Sequence, residues 1–232
     1  MSFIIIYETS SSWPKDSQDK LAKSNGATPV EKHDFKKSLK HLYHPPAKAV
    51  AQIDVPKMNY LMVDGEGDPN SSKTFQSAIE TLFGLSYTLK FALKKSGGPD
   101  YKVLPLEGLW WNDGERFSLE NKDKGLWRWT LMIMQPEWIS AKLVDSAREE
   151  LERKRGTSTA PARFEPLHEG RSAQILHLGP YAEEAPTIAR IHAFIAELGG
   201  RLTGKHHEIY LGDPRRTAPE KLKTILRQPF AK

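Results

Sequence analysis

Two stretches of the chain repeat one order of structural elements, and this recurrence constrains the fold more than any other feature. Residues 57–135 and residues 171–230 each show a strand, a helix and two further strands. The helices are predicted from apolar side chains that recur every three or four residues, and glycine or proline marks the ends of elements. The two stretches share little sequence identity, so the recurrence depends on the order of elements.

The predicted elements follow each other closely. In the first stretch we expect strands at 58–63, 101–111 and 126–134 and a helix at 72–95. In the second we expect strands at 172–178, 206–211 and 223–228 and a helix at 183–198, while a helix at 137–155 and a linker at 156–161 join the two. This pattern predicts an α+β protein with helices on one face of an antiparallel sheet and a central ligand groove between the duplicated units.

The remaining part of the chain predicts its domain organisation. Residues 1–30 contain a short apolar run at 3–7 and then a serine-rich polar stretch, so we expect a peripheral N-terminal extension. Residues 31–232 are expected to form the folded domain. The apolar run is too short to cross a bilayer and has no basic region before it, which favours neither a membrane span nor a signal peptide. We therefore expect a cytoplasmic protein.

Composition excludes several kinds of chemistry. The chain has no cysteine, so disulfides, thiolate catalysis and cysteine-ligated zinc are excluded. Its 34 basic and 29 acidic residues are interleaved and give a net charge of only +5, which does not favour a nucleic-acid partner. The His206, His207, Glu208 and Asp213 group lacks the spacing of a metal site. We predict neither a metal nor another cofactor.

Two acids lie in otherwise apolar strand segments. Glu107 and Glu208 each occur on the second strand of a unit, beside aromatic residues. A glutamate in such a place is either solvated or paired at a strand edge, or it belongs to a site in which burial adjusts its acidity. Because side chains alternate along a strand, Glu208 and Tyr210 share one face with His206. We predict Glu208 as the acid or base and Tyr210 as its hydroxyl partner or a second proton donor.

Aromatic residues are the second signal of a site. Five tryptophans lie between positions 110 and 138, and at least two of them are expected only to fill the core. The predicted ligand-binding residues, with Glu107 as a second acid, are Trp110, Trp111, Trp138, Tyr87 and Tyr181. Strand alternation predicts that Trp110 and Trp111 point to opposite faces unless a bulge intervenes. Indole rings beside an acid favour a small, flat aromatic or cationic molecule as the partner.

Four segments resemble the GyrI-like family of small-molecule-binding proteins. They are residues 63–70 (VDGEGDPN), 105–111 (PLEGLWW), 204–216 (GKHHEIYLGDPRR) and 219–229 (PEKLKTILRQP). The resemblance covers about residues 31–230, and the segment at 204–216 is the most specific of the four.

The resemblance implies a duplicated strand–helix–strand–strand fold with a hydrophobic groove. In the family a glutamate on the second strand of the second unit meets cationic aromatic ligands, and Glu208 matches that place. The chain resembles the stand-alone members, some of which hydrolyse cyclopropane-bearing, DNA-alkylating natural products. The resemblance therefore implies a detoxifying hydrolase that confers resistance to such compounds. The alternative from the residues is a groove that binds or senses a drug-like molecule without turnover.

Overall fold

The computed structural model describes residues 32–112 and 124–232, so the predicted extension at 1–30 lies outside the described residues. The helices of the described part are α1 (Phe35–Ser38), α2 (Lys40–Tyr43), α3 (Lys73–Lys95), α4 (Ala141–Arg155) and α5 (Ala185–Glu197). Its strands are β1 (Ala51–Val55), β2 (Met58–Glu66), β3 (Glu107–Trp111), β4 (Arg128–Gln135), β5 (Arg163–Leu167), β6 (Gly170–Leu178), β7 (Arg201–Leu202), β8 (His206–Tyr210) and β9 (Lys223–Ala231). Short 3-10 helices occur at Lys124–Leu126, Tyr181–Glu183 and Pro219–Lys221.

All the strands belong to one curled antiparallel sheet. Its order is β1-β6-β9-β8-β3-β4-β2-β5, and β7 pairs separately with β9. The predicted duplication is visible in this order, because β2–α3–β3–β4 and β6–α5–β8–β9 repeat one arrangement. The second strands of the two units, β3 and β8, pair with each other at the centre. The predicted α+β class and antiparallel sheet are therefore confirmed.

The sheet edges are formed by strands that the two units exchange. Strand β1 precedes the first unit in sequence but pairs with β6 of the second. Strand β5 precedes the second unit but pairs with β2 of the first. The sequence pattern predicts neither strand. Both are short and contain exposed and half-buried positions, and β5 contains Pro166, which suits an edge strand rather than a central one.

Helices α3 and α5 both cover the same face of the sheet. On α3, the Phe75 ring packs against Trp110 of β3, with 6.0 Å between ring centroids. Residues of α5 pack with Leu226 of β9, which is the cross-strand partner of Glu208. Glu208 is in turn opposite Gly108, two residues from Trp110. Trp110, Glu208 and Leu226 therefore share one face, and β3 and β8 form the floor between α3 and α5.

Local sequence explains where the helices begin and end. The hydroxyl of Ser72 accepts a hydrogen bond from the Phe75 amide at the start of α3. Ser140 does the same for the Leu143 amide at the start of α4. Helix α4 ends at Gly156, whose φ of 67° is the left-handed conformation that glycine adopts most easily.

The two large buried tryptophans Trp127 and Trp129 fill the core, as the sequence predicts for at least two of the five. Trp129 packs edge-on against Phe75, with 5.0 Å between ring centroids. Its indole lies over Gly65, its cross-strand partner, where any side chain would overlap the ring. In the part of the chain that the structure describes, no helix is both long and apolar enough to cross a membrane.

Candidate functional site

The floor between α3 and α5 carries a buried carboxylate at its centre. Glu208 of β8 lies directly opposite Gly108 of β3, and its side chain is only 7% exposed. A carboxylate in such a place loses most of its solvation, so its hydrogen bonds decide whether the fold tolerates it. Tyr210, two residues further along the same strand, donates one of these bonds.

A directed chain of hydrogen bonds holds Glu208. The indole N–H of Trp110 donates to the hydroxyl of Tyr210 at 3.1 Å. That hydroxyl in turn donates to Oε2 of Glu208 at 2.8 Å. Since the tyrosine proton is directed at Glu208, the carboxylate is fixed as an acceptor and its other oxygen, Oε1, faces His206 Nε2 at 3.4 Å. Strand alternation predicted the shared face of Glu208, Tyr210 and His206, and the structure shows it.

Gly108 makes this series of hydrogen bonds possible. Trp110 and Tyr210 each lie two residues beyond the central Gly108–Glu208 pair, and their side chains lean back and meet above Gly108. A Cβ atom at Gly108 would lie 2.8 Å from the indole nitrogen of Trp110 and 3.0 Å from the hydroxyl of Tyr210. The absence of a side chain at this position therefore leaves the space for the hydrogen bond.

A second acid, Glu184, lies beside Glu208 at the start of α5. It is 1% exposed, and neither of its carboxyl oxygens makes a well-formed hydrogen bond to another described residue. Burial, and then the neighbouring charge of Glu208, hold the pKa of Glu184 well above the usual range of a glutamate, and the nearby Thr224 hydroxyl offsets only part of this. Glu184 is therefore the member of the pair that keeps its proton.

The sequence does not single out Glu184, because an acid at the start of a helix is common for ordinary electrostatic reasons. Its sequence neighbour Tyr181, which was predicted as a ligand-binding residue, does lie at the site. The rings of Tyr181 and Tyr210 meet edge to face, with 5.6 Å between centroids. His177 of β6 is close to Glu208 as well, and its burial lowers its pKa, which favours the neutral imidazole.

Glu107, the other predicted acid, is on the opposite face of the sheet. It pairs across the strands with Ile209 rather than with Glu208, so the alternation of side chains separates the two acids. Glu107 is completely buried, accepts a hydrogen bond from the Tyr43 hydroxyl at 3.0 Å, and lies 3.0 Å from His207 Nε2.

The buried polar network around Glu107 extends across the second unit. His207 Nδ1 lies 3.0 Å from Glu169, and Arg227 Nη1 donates to the same carboxylate at 3.1 Å. Arg227 also donates to Gln174 and to the carbonyl of Leu42, which completes the network on the face away from α3 and α5.

Charges in this network are balanced. Burial alone would lower the pKa of His207, but the charge of Glu169 and hydrogen bonds to Glu107 and Glu169 raise it to about 9. Burial alone would raise the pKa of Glu169, but the charge of and hydrogen bonds from His207 and Arg227 lower it to about 2. At neutral pH the protonated His207 therefore lies between two carboxylates.

The other predicted aromatic residues fall in three places. Trp110 and Trp111 both line a cavity of about 510 Å³, because the cavity lies at the end of β3, where the last two residues of the strand border it. Trp138 packs instead with His33, Phe35 and Tyr101, away from Glu208. Tyr87 belongs to a row of stacked rings on the surface of α3, together with Phe83 and Phe91. The structure thus brings Trp110, Tyr181, Glu208 and Tyr210 together but not Trp138, Tyr87 or Glu107.

Metal ligation has no obvious place in the described residues. Between 32 and 112 and between 124 and 232, no group of three or more histidine, aspartate or glutamate side chains is arranged to hold an ion. The site is instead built from a carboxylate, a second and protonated carboxyl group, a polarised hydroxyl and aromatic rings. Such a set can orient a flat molecule, accept a proton and donate one.

Comparisons with known proteins identify the family and the fold. Residues 48–230 match the sequence model of the GyrI-like small molecule binding domain. A conserved protein of Listeria innocua is 41% identical, with a TM-score of 0.80 over 86% of this chain and 100% of its own. Two structures described as hydrolases from Listeria innocua are each 38% identical, with TM-scores of 0.78 and 0.76, over 87% and 86% of this chain and 100% of their own.

The fold and the matched region define a small-molecule-binding domain. The chain belongs to the GyrI-like family, as its sequence motifs indicate. No curated protein matches the chain.

Proposed function

We propose that this protein hydrolyses cyclopropane-bearing, DNA-alkylating compounds and so detoxifies them. The observation that carries the proposal is the carboxylate of Glu208, held as an acceptor by Tyr210 and Trp110 on the floor between α3 and α5. Similarity to two Listeria hydrolases over nearly the whole described chain supports an enzymatic rather than a purely binding role.

The compounds concerned join a strained cyclopropane to a cyclohexadienone ring. Water attacks the methylene carbon of the cyclopropane, one ring C–C bond breaks, and its electron pair moves through the dienone to the carbonyl oxygen. That oxygen takes up a proton, and the six-membered ring becomes an aromatic phenol. The net change is the addition of one water molecule, which removes the electrophile.

Two proton transfers are needed, and the acid pair is suited to both. Glu208, whose carboxylate accepts from the Tyr210 hydroxyl, takes the proton that the attacking water loses. Glu184, as the protonated member, supplies the proton that the carbonyl oxygen gains. Transfer of a proton from Glu208 back to Glu184 then restores the starting state. Positioned acids and bases of this kind contribute about 10²- to 10⁴-fold to a rate.

Tyr210 acts as a positioning residue in this scheme. Its hydroxyl proton is committed to Glu208, and its oxygen accepts from Trp110, so it fixes the direction of the carboxylate rather than giving up its own proton. Burial, and then the charge of Glu208, raise the pKa of Tyr210 well above the usual value, which keeps that hydroxyl protonated. The rings of Trp110 and Tyr181 offer flat apolar contacts beside the carboxylate.

Product analysis tests the proposal. The purified protein is incubated with a cyclohexadienone that carries a spiro-linked cyclopropane, and the masses of the separated products are measured by mass spectrometry. We expect accumulation of the phenol that carries one added water, at a rate proportional to protein concentration. If the compound binds but remains chemically unchanged, the groove sequesters or senses its ligand, and hydrolysis is refuted.

A further inference from the structure

A cavity beside the acid pair has a different chemical character from the pair itself. It has a volume of about 510 Å³ and lies between the end of β3, the second half of α5 and the segment from β7 to β8. Trp110 and Trp111 contribute aromatic surface to it. A space of this size suits a ligand of one or two fused rings.

All the ionisable side chains that line this cavity are basic. They are His192, Arg201, Lys205 and His206, and no described carboxylate borders the cavity. The ammonium group of Lys205 lies 3.2 Å from the ring centroid of Trp111, so the two form a cation–π contact at the wall. Burial lowers the pKa of Lys205, as expected for a cation partly removed from water.

The basic cavity and the acid pair are immediate neighbours. His206 lines the cavity and lies 3.4 Å from Oε1 of Glu208. Trp110 also lines it and donates to the Tyr210 hydroxyl that holds Glu208. A molecule that reaches from the cavity toward Glu208 therefore meets cationic groups at one end and a carboxylate at the other.

We propose that the basic cavity binds an anionic substituent of a planar aromatic ligand, such as a carboxylate or sulfonate, with the ring against Trp110 and Trp111. This inference rests on the proposed small-molecule function and assigns its ligand class. It replaces the expectation of a cationic ligand, because Lys205 and Arg201 would repel a cation in this cavity. Opposite charges in a partly buried site attract strongly, whereas a neutral ring gains only the contact with the indoles.

Three probes of one size and shape test the ligand class. They are 2-naphthoate, neutral 2-naphthamide and cationic 2-naphthylmethylammonium, and their binding is followed by quenching of tryptophan fluorescence. We expect 2-naphthoate to bind about tenfold tighter than 2-naphthamide, and added salt to reduce only the binding of the anion. The cation should bind weakest.

Two lysine variants locate the effect. Lys205→Gln removes the charge at the cavity wall, whereas Lys223→Gln removes the charge of an exposed lysine on β9 that does not line the cavity. Lys205→Gln should abolish most of the preference for 2-naphthoate and leave 2-naphthamide within about twofold of its original affinity. Lys223→Gln should leave both affinities unchanged.

Several results would overturn the inference. These are equal binding of the anionic and neutral probes, tightest binding of the cation, no binding of any probe, or an equal loss of both probes in Lys205→Gln. Failure of the hydrolase proposal is a separate result, because it appears as an absent water adduct while the preference for 2-naphthoate persists.

Discussion

The alternation of side chains along two central strands decides which residues can act together. On β8, residues 206, 208 and 210 face α3 and α5, while His207 faces the other side of the sheet. The sequence was sufficient to predict that Glu208, Tyr210 and His206 share a face. It was not sufficient to find Glu184, because the contact between Glu184 and Glu208 joins a helix start to a strand that is more than twenty residues away.

Replacement of Tyr210 by phenylalanine tests the positioning role. Tyr210→Phe keeps the ring but removes the hydroxyl between Trp110 and Glu208, so the carboxylate loses its fixed direction. We expect turnover to fall by about tenfold or more, and the free energy of unfolding to fall by about 1 kcal/mol for the lost hydrogen bond. Tyr181→Phe, which keeps the ring packed on Tyr210, serves as the control. Normal turnover by Tyr210→Phe would contradict the role.

The protonation state of Glu184 can be tested through stability. The pKa of Glu184 in the folded protein is raised above the ordinary value of 4.5, so the residue ionises more readily in the unfolded chain. Glu184 therefore makes the fold less stable as the pH rises above about 4.5. Glu184→Gln removes that dependence while it keeps the size of the side chain. In urea unfolding, the stability of Glu184→Gln relative to the wild type should increase as the pH rises from about 5 to about 8. Parallel curves would show that Glu184 is ionised in the fold.

The pairing of elements explains why Glu107 and Glu208 lie on opposite faces of the sheet. Both Glu107 and Glu208 lie on the second strand of a unit, and the sequence suggests that they correspond. The register of β3 against β8 places Gly108, not Glu107, opposite Glu208. A shift of one residue moves a side chain to the other face of a sheet, and sequence alone does not fix register to that accuracy. The edge strands β1 and β5 are not predicted from the sequence because they lack a sustained apolar pattern.

A methyl group at Gly108 tests the packing of the central strand pair. Gly108→Ala places a Cβ atom against both the Trp110 indole nitrogen and the Tyr210 hydroxyl, so one of these side chains must move. We expect a loss of about 1 to 3 kcal/mol in the free energy of unfolding, together with reduced turnover. Thermal unfolding and product analysis measure the two effects. Gly212→Ala, where a Cβ meets neighbours only at 3.5 Å and beyond, is the control. Equal stability of the two variants would refute the close approach.

The whole molecule is held together by a buried ionic network as well as by its core. Glu107 belongs to the first unit, His207 and Arg227 belong to the second, and Glu169 lies immediately before β6. These residues link the two units on the face opposite the proposed site. The order of elements allowed the duplication to be predicted, but the network could not be, because its members are far apart in sequence.

His207 gives the folded protein a specific pH dependence. Its folded pKa of about 9 lies above the ordinary value of 6.5, so its contribution to stability is complete below about pH 6.5 and is lost as the pH rises through about 9. Glu169 acts in the opposite direction, since its stabilisation is present above about pH 4.5 and is lost as the pH falls toward about 2.

His207→Gln should reveal this contribution directly. The variant leaves Glu107 and Glu169 without their shared cation, so we expect a loss of about 3 to 5 kcal/mol near neutral pH and a flatter dependence on pH between about 6.5 and 9. His168→Gln, at an exposed position, is the control. Equal slopes for His207→Gln and the wild type would show that His207 is neutral in the fold.

The central claim is that Glu208 is the base that activates water, and the rate of adduct formation by Glu208→Gln tests it most directly. The wild type, Glu208→Gln and the exposed control Glu165→Gln are compared in water enriched in heavy oxygen, after fluorescence titration shows that each binds the compound. We predict incorporation of one labelled oxygen by the wild type and by Glu165→Gln, and a rate at least about 10²-fold lower for Glu208→Gln. Labelled product formed by Glu208→Gln at the wild-type rate would contradict the claim.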